Sequence, residues 1–545
     1  MTSAQLDRFV HERLPAPAQM PELHFDRAEL HFPEQINWVE ELLDKASVKG
    51  YGDRPLLRSD SLTLSYDQAR QQVDRIAHVL VQDLGLKPGN RVLLRGGNSV
   101  MMALSMLAVM KAGLVAVATM PLLRAKELGD IIDKAQPVAA LCDTVLLHEL
   151  NLAQAMHPVL AAVIGFGAAD GAHAAQSLEA RCATSAGAFP ACATAGTDIA
   201  LLAFTSGTTG KPKAAVHTHR DVLAACETWP RHVLRATPDD VVMGSPPLAF
   251  TFGLGGMLVF PMWAGASVYF PSIAYTPEAM ARLMLDVGAT ICYTAPTFYR
   301  QMAPHLRALV DERGPPPLRI CVSAGEALPD ATRQLWKEAT GIEILDGIGA
   351  TEMFHIFVSS APDEVRQGAI GKVVPGYTAK VVDDDGVEVP RGTVGKLAVM
   401  GPTGCKYLDD ARQSNYVRDG WNYPGDAFLQ DADGYLFYQA RTDDMIITSG
   451  YNVGAPEVED ALLQHGAVSE CAVVGLPDPQ RGMRIKAFCV LRPGYSPDEA
   501  MAKQLQDHVK SSIAPYKYPR EVEFVDALPR TETGKLQRFR LKATP

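Results

Sequence analysis

The run Thr205-Ser206-Gly207-Thr208-Thr209-Gly210-Lys211-Pro212-Lys213 constrains this chain more than any other stretch. It lies between two apolar runs, 199–204 and 214–216, that read as strands. Every residue from 205 to 210 is Gly, Ser or Thr, so backbone N–H groups can crowd together and hydroxyls add donors. Lys211 and Lys213 add positive charge. Physically this is a polyphosphate cradle. The Walker A pattern separates its glycines by four residues and follows them with Gly-Lys-Ser/Thr. Here Gly207 and Gly210 are closer than that, and Pro212 follows the lysine, so a P-loop NTPase is excluded. A polar surface loop has the same composition, and the loop alone does not choose between the two.

Size and charge narrow the partners. A chain of 545 residues needs more than one core. With 47% hydrophobic and 21% charged residues, a soluble globular protein is expected. The net charge of −11 argues against nucleic-acid or anionic-membrane partners, so an anionic substrate must meet local positive sites. Nine scattered cysteines without Cys-x-x-Cys or metal-ligand spacing predict reduced thiols and a cytoplasmic setting. Residues 1–13 carry charges and no apolar segment, so no signal peptide is expected. The apolar tract 100–110, ended by Lys111 and Gly113, is too short to span a membrane and predicts a buried helix.

The periodicity predicts an α/β fold. Ser65 is placed to cap a helix with Ala69, Val73, Ile76, Ala77 and Leu80 on one face. A strand at 92–94, a helix at 99–112 and a strand at 114–118 follow. Further alternation runs through 220–323, which predicts layered, parallel-rich sheets. Residues 1–35 read as an irregular Pro-rich arm, and 165–198 as a surface excursion rich in small residues. From about residue 370 short strands and turns predict a β-rich subdomain. The segment 441–545 reads as a separate small α+β unit, with helices over 456–464 and 504–513.

Four more motifs follow the first loop in order: Ile348-Gly349-Ala350-Thr351-Glu352, Tyr423-Pro424-Gly425-Asp426, Arg441-Thr442-Asp443-Asp444-Met445-Ile446 through Gly450, and Pro529-Arg530-Thr531-Glu532-Thr533-Gly534-Lys535. The set resembles the signature of the adenylate-forming superfamily, which holds acyl- and aryl-CoA ligases, adenylation domains and luciferases. The resemblance covers nearly the whole chain. It implies an N-terminal AMP-binding and acyl-substrate domain over 1–440 and a mobile C-terminal lid over 441–545, hinged near Asp443. It implies a carboxylate reacting with ATP to give an acyl-adenylate and pyrophosphate. A thiol, normally coenzyme A, then displaces AMP.

By the same resemblance, Lys535 bridges the carboxylate and the α-phosphate, Thr351 contacts that phosphate, and Glu352 binds Mg²⁺. The 205–213 loop holds the phosphates. Asp426 takes the ribose hydroxyls, and Arg441 adds a ribose or phosphate contact or anchors the hinge. Gly325, Glu326, Ala327, Asp346, Gly347 and Ile348 frame the adenine, with Ile348 where the family usually has an aromatic residue. Gly450 lines the pantetheine tunnel. Other readings stand beside these. Lys535 has the setting of an exposed tail lysine, Thr351-Glu352 that of a capping pair, and Asp426 that of a turn residue. Gly347 and Gly349 are expected to let backbone approach a ligand.

The stretch Pro247-Leu248-Ala249-Phe250-Thr251-Phe252-Gly253 matches the family's motif beside the acyl pocket. It departs from that motif in having Phe250 instead of His, and the 293–297 and 346–356 runs look like benzoate-CoA and 2-aminobenzoate-CoA ligases. That implies a flat aromatic slot formed by Ala249, Phe250, Phe252, Gly253, Tyr293, Gly325, Ile348 and His355. Aromatic residues at strand ends are also ordinary core. An aliphatic acid or a separate carrier protein are the alternatives within this chemistry. A kinase would release ADP, and a catalytically dead binder would lack Lys535 or Glu352, both of which are present. A monomer or homodimer is expected. A lysine acetylase acting on Lys535 would remove the charge that offsets carboxylate–phosphate repulsion.

Overall fold

A computed structural model of the chain describes residues 2–167, 176–185, 187–205, 212–448, 451–478, 480–530 and 536–542, without the side chains of Asp443 and Asn452. Local signals account for the first elements. Ser65 accepts from Gln68 N–H in a capping box and starts the helix Tyr66–His78. Ala69, Val73, Ile76 and Ala77 are buried, and a π-helical turn, Val79–Asp83, carries the face on to buried Leu80. Ser99 caps Val100–Lys111. That helix is buried almost all round, as its unbroken apolar sequence requires. Lys111, which ends the tract, is buried too, and Asp44 at 2.7 Å and Asp74 neutralise it.

Two parallel-rich sheets form the body. One takes the spatial order 162–166, 139–143, 91–95, 115–119, 199–205, 213–218. Its pairs are parallel except the last, a hairpin in which Thr205 pairs with Lys213. The other is nine-stranded, with six adjacent parallel strands: 344–349, 320–323, 291–294, 241–244, 267–269 and 55–58. Antiparallel strands close both edges of this sheet. A third, antiparallel sheet over 378–441 is the expected β-rich subdomain. The N-terminal arm ties these parts together. The Gln5 amide donates to Ile199 O at 2.6 Å, and Leu23 bridges Gly401.

A fourth sheet and its own core, with Ile446, Val458, Leu462, Ile485 and Leu505, form the C-terminal unit. Its first helix is Ala455–Leu463. The second runs over Glu499–Ser512, longer than the sequence suggested, because Asp498 caps it through Met501 N–H. The described part of 165–198 is more than a surface excursion. It holds a helix, Leu178–Thr184, and buries Leu178, Thr194 and Asp198, whose carboxylate accepts from Ala4 and Ala195 N–H. Among the described residues, no helix is long and apolar enough to cross a membrane.

Candidate active site

Parallel strands of the nine-stranded sheet end side by side at Gly244, Thr294 and Ser323, with Asp346 paired to Ser323. Ligands of open α/β sheets bind in the crevice outside such carboxyl ends. Ser245 and Thr294 join hydroxyls there at 2.6 Å. Gly325 follows with a φ of +92°, a left-handed turn that favours glycine. It leads into Glu326 and Ala327. The Glu326 carboxylate accepts from Thr297 Oγ1 at 2.9 Å and from Arg530 of the C-terminal unit at 3.2 Å. Asp346 is buried, and Gly347 N–H donates to its Oδ1 at 3.0 Å. Desolvation pushes its carboxyl up to about 6, against the pull of Arg333 and that N–H. Ile348 packs half-buried against the core.

The glycines beside it are closely packed by protein. A Cβ at Gly347 would meet Ile356 Cδ1 at 2.7 Å, and one at Gly349 would meet His355 O at 2.6 Å. The antiparallel neighbour and the residue before it therefore leave no room for a side chain at either position. Thr351-Glu352 is no helix start: Thr351–Met353 is a single 3-10 turn without a side-chain cap.

Three side chains clamp this turn. His217 Nε2 donates to Thr351 O at 2.7 Å, and Thr403 Oγ1 to Met353 O at 2.8 Å. Tyr407 OH donates to Glu352 Oε1 and accepts from Lys213 Nζ at 2.9 Å. Lys213 Nζ itself stands 3.7 Å from that carboxylate. Burial holds His217 neutral, with its pKa lowered to about 4. Burial, and then the Glu352 charge, push the Tyr407 phenol well up, so it stays a donor. Phe354 follows with a φ of +71°, a conformation costly for a bulky residue. The bend separates Glu352, which faces Lys213 and Tyr407, from His355, which faces an aromatic cluster.

That cluster brings together three of the expected pocket residues. Phe252 lies 5.8 Å from Tyr293 and 5.5 Å from His355, ring centre to ring centre. Trp229 and Phe260, not foreseen, stand 5.3 and 4.6 Å from His355. Adjacent glycines seat two of the rings. A Cβ at Gly255 would meet His355 Cδ2 at 2.7 Å, and one at Gly256 would meet Tyr293 Cε1 at 2.7 Å. Burial lowers His355 to about 3, with the Phe252 backbone opposing weakly. Trp229 Nε1, Tyr293 OH and both His355 nitrogens have no well-aligned hydrogen-bond partner among the described residues. Ala249 is buried. Phe250 precedes the short helix Thr251–Leu254 and makes none of these ring contacts among the described residues. A Cβ at Gly253 would strike Pro247 O at 2.0 Å, so the backbone there needs glycine.

Asp426 is buried, and Arg441 Nη1 reaches its Oδ1 at 3.1 Å and Pro424 O at 2.8 Å. Arg441 therefore anchors the Gly425 turn as well as flanking the carboxylate. Behind that turn lies a cleft of about 410 Å³ lined by Asp384, Lys396, Asn415 and Arg418, too polar to hold an apolar ring. Ser206, Gly207, Thr208, Thr209, Gly210, Lys211, Gly450 and Lys535 lie outside the described residues, as does the Asp443 side chain. At the mouth of the first loop, Thr205 Oγ1 is buried without a partner among the described residues. A partnerless hydroxyl beside Lys213 fits a phosphate ligand, and one carboxylate, Glu352, fits Mg²⁺, which takes few protein ligands when phosphates supply the rest. Tyr407, His217 and Trp229 escaped the sequence reading because their partners are 55, 134 and 126 positions away in the chain.

The chain belongs to the AMP-binding enzyme family, in the adenylate-forming superfamily. Residues 44–406 match the AMP-binding enzyme model, and 457–535 match the AMP-binding enzyme C-terminal domain. A benzoate–CoA ligase of Thauera aromatica is 36% identical over 94% of this chain and 97% of its own. A 4-hydroxybenzoate–CoA/benzoate–CoA ligase of Rhodopseudomonas palustris is 33% identical over 93% of this chain and 94% of its own. Among solved structures, the anthranilate CoA ligase AuaEII in complex with anthranoyl-AMP superposes with a TM-score of 0.87. It is 34% identical and covers 95% of this chain and 98% of its own. A benzoate CoA ligase from Burkholderia xenovorans LB400 gives 0.83 at 32% identity, over 93% and 100% of the two chains.

Proposed function

We propose that this protein is an AMP-forming aryl-CoA ligase. It joins a single-ring aromatic acid to ATP, releasing pyrophosphate, and then transfers the acyl group to coenzyme A, releasing AMP. The relatives named above are ligases of benzoate, 4-hydroxybenzoate and anthranilate (2-aminobenzoate). The observation that carries the reading is the cluster of Trp229, Phe252, Tyr293 and His355 beside the carboxyl ends of the parallel strands. Flat walls suit a flat ring. The buried tips of Trp229 and Tyr293, which lack partners among the described residues, favour an acid whose ring carries a hydrogen-bonding substituent, because buried polar groups cost free energy when unpaired. 2-Aminobenzoate meets that condition and benzoate does not.

The first step brings a carboxylate against an anionic phosphate, so it needs placed cations and donors. Lys535 would offset that repulsion, with Thr351 on the α-phosphate. Glu352 would hold Mg²⁺, which neutralises phosphate charge when bound. Thr205, Lys213 and the intervening loop would hold the phosphates. Asp426 would accept from the ribose hydroxyls, with Arg441 holding that carboxylate in place. The lid, 441–545, would turn about Asp443, presenting Lys535 for the first step and the Gly450 loop to the pantetheine arm for the second.

The test is a panel of acids scored by AMP release with coenzyme A and by pyrophosphate release without it. Benzoate or 2-aminobenzoate should lead, with hexanoate and octanoate far behind. Octanoate matching benzoate in kcat/KM would overturn the aromatic assignment. A 2-aminobenzoate value below that for benzoate would overturn only the narrower one. Adenylate formation without thioester release would point to a carrier-protein acceptor.

A further inference from the structure

We propose that Tyr407 is a positioning residue. Its buried hydroxyl, shared between Lys213 and Glu352, holds the Glu352 carboxylate in the one orientation that serves the nucleotide's metal. This rests on the assignment of Glu352 made above.

Donor and acceptor roles are settled by chemistry. A lysine ammonium only donates and an ionised carboxylate only accepts, so the phenol must accept from Lys213 and donate to Glu352. The direct Lys213–Glu352 separation of 3.7 Å is too long for a hydrogen bond, which makes the hydroxyl the link. Tyr407 cannot wander. It is 1% exposed, its N–H donates to Gln413 Oε1 at 2.9 Å, its backbone bridges Ala215, and its ring packs 5.9 Å from Tyr416. His217 and Thr403 already fix the turn's backbone at Thr351 O and Met353 O. What stays free is the swing of the Glu352 side chain, and Tyr407 takes Oε1. Among the described residues nothing hydrogen-bonds to Oε2, which leaves that oxygen for a ligand. Side chains that orient a metal ligand from behind contribute to metal affinity although they never touch the metal.

The test measures ATP affinity by calorimetry, with Mg²⁺ and with EDTA, on the full-length protein. The variants are Tyr407→Phe, Glu352→Gln and the double substitution. In the wild type Mg²⁺ should tighten ATP binding, and in Glu352→Gln that gain should largely vanish. Tyr407→Phe should reduce the gain about 10-fold, within the range for such outer contacts. The double variant should be no worse than Glu352→Gln, since one group acts through the other. The apparent Mg²⁺ requirement for adenylate formation should rise, while KM for the acid stays put. p-Aminophenylalanine at 407 keeps the ring and a donor at the same place, and should restore most of the gain. An unchanged gain in Tyr407→Phe, additive losses in the double variant, or equal loss with p-aminophenylalanine would overturn the proposal. An unchanged gain in Glu352→Gln would instead overturn the assignment of Glu352, and the role of Tyr407 with it.

Discussion

Arg530 joins the C-terminal unit to the body through Glu326: its Nη1 stands 3.2 Å from Glu326 Oε1, while Nη2 holds Glu470 of its own unit at 2.8 Å. Glu326 follows the Gly325 turn at the strand ends, and Arg530 lies five positions before Lys535. The same arrangement of the C-terminal unit is supported by Arg300, which donates to Ser469 O at 3.2 Å, and by Asp460, which accepts from Ala331 N–H at 3.2 Å. These contacts must break if the lid turns.

Arg530→Ala is therefore expected to slow adenylate formation while sparing thioester formation from supplied acyl-adenylate. Partly exposed ion pairs are worth up to about 1 kcal/mol, so the loss should be roughly five-fold. Lys535→Ala should show the same split far more severely. Single-turnover pyrophosphate release and thioester formation measure the two halves. Equal loss in both halves for either variant would refute the division of labour.

Tyr293→Phe tests the ring cluster. The hydroxyl is fully buried and lacks a partner among the described residues. Removing it should leave the thermal midpoint unchanged or slightly higher. If it faces the acid, kcat/KM for 2-aminobenzoate should fall more than that for benzoate. A midpoint several degrees lower would mean that the hydroxyl has a structural partner.

Asp346→Asn should raise stability at neutral pH. With its carboxyl pushed up to about 6, the folded protein holds this proton across a window where the unfolded chain, near 3.8, has lost it. Its contribution is thus most favourable below pH 3.8 and is lost as pH rises through 6. Asparagine carries no charge and keeps an acceptor for Gly347 N–H. The variant's advantage should be on the order of 3 kcal/mol at pH 7.5 and vanish near pH 4, read from denaturant midpoints.

Three buried histidines act in the opposite sense. Burial lowers His217 and His219 to about 4 and His355 to about 3. Between those values and 6.5 the unfolded chain binds protons that the folded protein refuses. Stability is therefore full above pH 6.5 and falls on acidification. Together they should remove on the order of 4 kcal/mol between pH 7.5 and 5.5. His355→Phe should flatten that slope by about a third, measured by urea unfolding at each pH.

Much of the fold was legible because its signals are local. Ser65 and Ser99 announce their helices within three residues, and the apolar run before Lys111 needs burial whatever surrounds it. The order of the five motifs pointed to the superfamily because residue type and spacing survive without knowledge of contacts. The grouping of Phe252, Tyr293 and His355 was indicated by the same motifs, and the three rings do meet.

What the chain order could not decide were meetings across space. Gly347 and Gly349 announce only that a side chain would not fit. The tertiary structure adds that Ile356 and the His355 backbone occupy that space. Phe250 and Phe252 stand two apart in one motif, yet only Phe252 joins the described ring contacts, because the short helix beginning at Thr251 turns the two differently. Lys111 marks the end of an apolar helix in sequence, and only Asp44 and Asp74 make its burial possible. Tyr407 carries no local mark at all. Its role comes from an edge strand, a motif turn and an antiparallel subdomain that converge on one hydroxyl, and a hydrogen bond depends on distance and direction in space rather than on separation along the chain.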